Sequence, residues 1–269
     1  MQDRSFRFTH AILRRPADSI VDGLRAVDTG TPDVTLFRTH HEAYRAALET
    51  AGLKTTVLPP LEDFPDSVFV EDAALCLPEG AIVMRPGAPT RLGEAVKIEP
   101  ALRDAYGDVR HLPSLGDHGH GRIEGGDVIV TGTEILVGRS ARTNGAGIEA
   151  LRETVRDWGY RVRELATPPD VLHFKTDCGL LDGETILVTR RLAAGGQLDG
   201  YRLIPVADGE EAAANAVRVN DIVLLPAGFP RTAETVRDAG YTVVELENSE
   251  AAKVDGGMSC LSLRFQRSA

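Results

Sequence analysis

Five times along the chain a polar or alanine-rich stretch gives way to a glycine and then to a short β-branched segment. The junctions are Ala51-Gly52 before Leu53-Lys54-Thr55-Thr56-Val57, Tyr106-Gly107 before Asp108-Val109-Arg110, Trp158-Gly159 before Tyr160-Arg161-Val162, Asp199-Gly200 before Tyr201-Arg202-Leu203-Ile204, and Ala239-Gly240 before Tyr241-Thr242-Val243-Val244. Glycine lacks a Cβ and enters the left-handed region without a clash, so it closes a helix cheaply, and the β-branched run after it reads as a strand. Helices are predicted over His41–Thr50, Glu94–Ala105, Asn144–Asp157 and Thr232–Ala239, with Asn144 and Thr232 as N-caps. A fifth, over Leu192–Asp199, is interrupted by glycine and weak.

Each junction has a companion hairpin: Asp72–Arg85, Gly126–Arg139, Asp177–Arg190, Ala214–Pro226 and Gly257–Phe265. Pro78-Glu79-Gly80, Thr131-Gly132-Thr133 and Leu181-Asp182-Gly183 supply turns between the apolar runs. The glycines recur at intervals of 55, 52, 41 and 40 residues, a regularity that implies five supersecondary units. The last hairpin is short, and the opening run Phe8–Leu13 is available to complete it, which would join the two termini. A generic parallel α/β sheet shares the helix-glycine-strand signature, but neither a GxGxxG nor a Walker sequence is present.

With 269 residues and 42% hydrophobic content, the chain can bury a substantial core as one large domain or two small ones. No apolar run approaches the ~20 residues of a membrane span, and Met1–Arg7 lacks the layout of a signal peptide, so a cytoplasmic location is expected. Cys76, Cys178 and Cys260 are odd in number and lack CxxC spacing, against both a disulfide framework and a structural zinc site. The net charge of −10 argues against nucleic acid or an anionic membrane as partner and is compatible with a cationic ligand.

Chemistry-bearing residues fall at the starts of the hairpins. Asp66 and Glu71-Asp72 place three carboxylates within seven residues, interleaved with Val68, Phe69 and Val70; such acids are costly to bury unless a cation meets them. Glu124-Gly125-Gly126-Asp127 combines acids with a double glycine that permits close approach. His173 opens the third hairpin, and Asp117-His118-Gly119-His120 reads as a polar loop rather than a metal site. Cys260 follows Gly256-Gly257, which would leave backbone room around its sulfur. A cysteine, a histidine and a glutamate are the parts of a nucleophilic site: thiol, general acid/base, and carboxylate to orient the imidazole. No metal or organic cofactor is called for.

Over nearly its whole length the chain resembles the dimethylarginine dimethylaminohydrolases of the guanidine-modifying pentein superfamily. The resemblance rests on Pro16–Leu24, Phe64–Asp72, Ser140–Asn144 and Asp255–Phe265. It implies a single catalytic domain over residues 1–269, an α/β five-bladed pentein propeller of ββαβ repeats. It further implies Cys260 as nucleophile, His173 as acid/base and Glu124 as its carboxylate. Asp66, Glu71 and Asp72 would contact the guanidinium and amino groups, Arg91 and Arg142 would clamp the α-carboxylate, and Leu24 would contact the α-amine from a mobile lid. The implied reaction is hydrolysis of Nω-methylated arginine to citrulline and a methylamine, by a possible homodimer. An arginine deiminase or related guanidine hydrolase shares this chemistry, and an arginine-binding regulatory protein on the same scaffold is the non-enzymatic alternative.

Overall fold

The computed structural model describes residues 5–113 and 121–267. Within them, fifteen strands form five three-stranded sheets. In chain order these are β3 (Ala74–Cys76), β4 (Ala81–Val83) and β5 (Val109–His111); β6 (Val128–Val130), β7 (Glu134–Arg139) and β8 (Arg161–Ala166); β9 (Cys178–Asp182), β10 (Thr185–Val188) and β11 (Arg202–Pro205); and β12 (Val217–Val219), β13 (Ile222–Pro226) and β14 (Thr242–Leu246). The fifth joins β15 (Leu263–Phe265) to β1 (His10–Arg14) and β2 (Lys54–Leu58). Every central strand pairs antiparallel with one neighbour and parallel with the strand that follows a helix. A parallel pair needs a crossover, and the helices α1 (Val34–Thr50), α2 (Leu92–Ala105), α3 (Gly145–Thr154), α4 (Arg190–Ala193) and α5 (Pro230–Asp238) supply it. The result is a five-bladed α/β propeller of ββαβ units. His10 of β1 lies opposite Phe265 of β15, so the last blade is closed by the two ends of the chain.

The central strands read as continuous apolar runs because both their faces are covered: β4 and β10 are buried at every position. The helices bury one stripe each. Phe37, Tyr44 and Leu48 of α1 pack with Leu13 and Val68, and Ile148 and Leu151 of α3 with Ile135 and Val137. No helix among the described residues is long and apolar enough to cross a membrane.

Gly52, Gly159 and Gly240 adopt positive φ just past a helical segment, as a helix-closing glycine should; Gly200 also has positive φ but sits in a separate turn well after Ala193, where α4 ends, and Gly107 does not have it. Asn144 caps α3, accepting from the Gly147 N–H at 2.9 Å. Thr232 is not an N-cap. Pro230 starts α5, pre-organised for the first helical position, and the Thr232 N–H goes to Oε2 of Glu210 at 2.7 Å. The helix expected over Leu192–Asp199 is the four-residue α4, capped by Thr189. α1 begins seven residues before the predicted start, with Asp33 accepting from Leu36 N–H at 2.9 Å.

Five short 3-10 turns precede the first strand of each unit, with at most two residues between turn and strand: Val70–Ala73, Gly125–Asp127, Phe174–Thr176, Glu211–Ala214 and Ser259–Leu261. They touch one another in sequence around the axis, the first meeting the second and the fifth, the third meeting the second and the fourth. The fold thereby delivers residues from five separate stretches of chain to one place.

Candidate active site

Leu24, Asp66, Asp72, Arg91, Arg142, His173 and Cys260 line one cavity of about 30 Å³, together with the apolar walls Phe69, Leu172 and Val254. Such a volume holds roughly two waters. Leu24 is held at the cavity by its backbone N–H, which donates to Oδ1 of Asp66 at 3.0 Å. The same segment is tied down by the Ala26 N–H, which donates to Oδ2 of Asp255 at 2.6 Å. A larger cavity of about 140 Å³ is lined by Glu71, Lys175, Ser259 and Arg264, and neither Cys260 nor His173 reaches it.

The turn Ser259–Leu261 holds Cys260 at 8% exposure, with the Gly257 N–H donating to its sulfur at 3.4 Å. Burial, and then the carboxylates of Glu71 and Asp72, push the thiol up to about 12, against the pull of the Gly257 N–H and Lys175. The resting group is therefore the neutral thiol. The double glycine does not open room around the sulfur: a Cβ at Gly256 would run into the Phe69 ring, and one at Gly257 into the amide of Asn215. Those glycines are needed for close packing on both sides of the turn.

His173 sits just before the turn Phe174–Thr176, its N–H donating to Oγ1 of Thr176 at 3.3 Å. Nε2 lies 2.5 Å from Oε2 of Glu124, and Gly126 passes so close beneath the ring that a Cβ there would sit 2.8 Å from Cγ and Nδ1. Burial opposes charging of the imidazole, but Asp72, Glu124 and Asp127 outweigh it and raise its pKa to about 9. Glu124 is wholly buried. Its Oε1 accepts from the N–H groups of Gly87 at 2.7 Å and Ala88 at 3.3 Å and from Nη1 of Arg142 at 3.4 Å. Burial alone would raise this carboxyl; the bond and charge of His173, with Arg91 and Arg142, hold it down to about 2.

Asp72 accepts from the Gly126 N–H at 2.8 Å through Oδ1 and from Nη1 of Arg91 at 2.6 Å through Oδ2. Asp66 is raised by burial, against Arg91, the Leu24 N–H and Arg142. Donor atoms of Asp72, Glu124 and His173 lie within 4.8 Å of one another, a spacing open to a metal ion, yet each already has a protein partner. The Asp117-His118-Gly119-His120 loop lies outside the described residues.

Two of the expected substrate contacts stand differently. Glu71 does not line the Cys260 cavity. The tight turn Val70–Ala73 sends it to the opposite side from Asp72, where it meets Nζ of Lys175 at 2.6 Å, Nη2 of Arg264 at 2.9 Å and Oγ of Ser259 at 2.6 Å. Arg91 lines the cavity but is engaged by Asp72, by Glu94 and by the carbonyls of Asp66 and Phe69. Arg142 is the freer cation, its side chain 20% exposed and held only loosely by Glu124. Two participants were missed: Glu94 backs Arg91, and Asn215 packs on Gly257. Asp127, singled out with Glu124 but given no role, takes the Phe174 N–H at 2.7 Å and adds its charge to His173. The repeat itself was the available signal for Asn215, since it ends the turn of the one unit to which no chemistry had been assigned.

The arginine deiminase family model matches residues 27–224. The N(G),N(G)-dimethylarginine dimethylaminohydrolase of Pseudomonas aeruginosa is 39% identical over 259 residues, covering 96% of this chain and 100% of that one. The counterpart from Streptomyces coelicolor is 34% identical, covering 95% and 96%. A crystal structure of the P. aeruginosa protein, a cysteine-to-serine variant complexed with citrulline, superposes with a TM-score of 0.91 over 97% of this chain and 100% of that one at 39% identity. The chain belongs to the arginine deiminase family and, within it, to the dimethylarginine dimethylaminohydrolases.

Proposed function

We propose that this chain hydrolyses Nω-methylated arginine to citrulline and dimethylamine or methylamine through a covalent thiouronium on Cys260. The observation that carries this reading is the shared cavity: a thiol, an imidazole fixed by a buried carboxylate, and the acids Asp66 and Asp72 that suit a guanidinium. The curated P. aeruginosa relative carries the name of this activity, and its solved variant holds citrulline, the product the reading requires.

The neutral thiol is a weak nucleophile, and what keeps it neutral is burial beside negative charge. A guanidinium entering between Asp66, Asp72 and the sulfur offsets that charge, so substrate binding favours loss of the thiol proton to solvent. The thiolate attacks the guanidinium carbon to give a neutral tetrahedral adduct. His173, protonated at neutral pH, gives its proton to the methylated nitrogen; the C–N bond breaks, the amine departs, and a cationic thiouronium remains. Neutral His173 then takes a proton from water as its oxygen bonds the same carbon. Collapse expels the Cys260 thiolate, the new hydroxyl loses its proton to form the citrulline carbonyl, and the thiolate is reprotonated. Arg142 holds the α-carboxylate and the Leu24 segment forms one wall of the cavity, which at about 30 Å³ must widen to admit an amino acid.

Citrulline release from asymmetric dimethylarginine, monomethylarginine, arginine and agmatine, with the amine identified in each, tests the reading. Turnover of the methylated substrates with release of dimethylamine or methylamine is expected. Ammonia from free arginine as the main reaction would make the chain a deiminase, and silence on all four would leave a binding protein.

A further inference from the structure

In four of the five units, the turn before the first strand carries or adjoins a residue of the site: Asp72, Glu124, His173 and Cys260. The fourth turn, Glu211–Ala214, offers only an exposed glutamate and alanines until Asn215, which ends it. Asn215 is 8% exposed and its carboxamide is used in three directions. Oδ1 accepts from the Ser259 N–H at 2.8 Å, while Nδ2 donates to Oγ of Ser259 at 3.2 Å and to the Lys175 carbonyl at 2.9 Å. Ser259 precedes Cys260, and Lys175 lies in the turn that His173 opens. One side chain therefore ties the nucleophile's turn to the acid/base's turn. The same amide lies flush against Gly257, whose N–H reaches the Cys260 sulfur.

We infer that Asn215 is a positioning residue for the nucleophile, fixing the turn from Gly257 to Leu261 and with it the Cys260 sulfur relative to His173. Only a carboxamide meets the requirement at this length. Leucine would leave the Ser259 N–H and the Lys175 carbonyl unpaired in a buried place, and aspartate would lack both donors. Nucleophilic attack tolerates little misplacement, so slack in this turn appears in the chemical step before it appears in substrate binding. The kinetic arm of the inference rests on the activity proposed above.

The test compares purified full-length wild type with Asn215→Ala, Ser259→Ala and the double variant, each checked for cooperative thermal unfolding. For dimethylarginine, Asn215→Ala is expected to lower kcat at least thirty-fold with KM within threefold of wild type. Ser259→Ala should give a smaller loss of the same kind, and the double variant should lose less than the product of the two single losses because the two share a bond. An activity-independent arm measures the alkylation rate of Cys260 by iodoacetamide at pH 9, expected to fall at least fivefold in Asn215→Ala as the Gly257 N–H leaves the sulfur. An unchanged kcat, or a loss confined to KM, overturns the inference. If wild type turns over no guanidino substrate, the proposed activity fails and alkylation decides this inference alone: an unchanged or faster rate overturns it. Should Asn215→Ala not fold, Ser259→Ala is read by the same two measurements.

Discussion

Glu124 holds His173 with one oxygen, 2.5 Å from Nε2, and keeps the other for the backbone N–H groups of Gly87 and Ala88. The carboxylate is thereby locked as an anion, and the imidazole beside it stays protonated well above its ordinary value of 6.5. A proton donor for the leaving amine is present at neutral pH without help from substrate.

Replacing Glu124 by Gln removes that charge while keeping the shape. The alkaline limb of kcat/KM, which reports loss of the His173 proton in the free enzyme, should fall from near 9 by about one pH unit or more, with Asp72 and Asp127 still supporting the imidazole. The pair also has a signature in stability. His173 gains affinity for its proton on folding, so its contribution is full below its unfolded pKa and is lost as pH rises through about 9. Glu124 is shifted the other way, so its contribution is present above its unfolded value and is lost as pH falls through about 2. Chemical denaturation across pH checks both signs, and Glu124→Gln should flatten both limbs.

Arg91 and Arg142 should separate cleanly. Arg142→Ala is expected to raise KM for substrates bearing an α-carboxylate by about tenfold or more, the loss of a charge-assisted bond, and to leave agmatine-like ligands nearly unaffected. Arg91→Ala would strand Asp72 and Glu94 in the interior and cost about 3–5 kcal/mol of stability. Steady-state kinetics beside urea unfolding tells the two apart; equal effects on binding with no loss of stability would contradict the assignment.

Much of the architecture was readable because glycine punctuation reports backbone conformation directly: Gly52, Gly159 and Gly240 take the left-handed form that a chain-reversing helix end demands, and Gly200 takes it in a turn before β11. Boundaries were less legible. Polar Thr35, Arg38, Thr39 and His40 masked the stripe of Phe37, Tyr44 and Leu48, and Pro230 displaced the start expected at Thr232. Residue types at the site could be read, but direction could not. Glu71 and Asp72 are neighbours in sequence, and only the geometry of a tight turn decides that one faces Cys260 and the other faces Arg264. Asn215 had no signal beyond its place in the repeat, because a neutral amide makes its three hydrogen bonds without any charge to mark it.

Gly126→Ala tests how closely the imidazole is seated. The added Cβ would meet the ring at 2.8 Å and Oδ1 of Asp72 at 2.9 Å, so either the ring or the acid must move. Turnover should drop on the order of 100-fold with substrate affinity largely kept. Wild-type turnover in this variant would show that His173 has freedom the packing denies it.

The central claim is a covalent bond between Cys260 and a carbon that has already lost its methylated nitrogen. Acid quenching during turnover, followed by intact-mass and peptide mass spectrometry, reads this directly. Asymmetric dimethylarginine and monomethylarginine should leave the same adduct on Cys260, because the part in which they differ departs before quenching, and Cys260→Ser should leave none. Adducts that keep their methyl groups, or turnover with no adduct on Cys260 at any time point, would contradict the account.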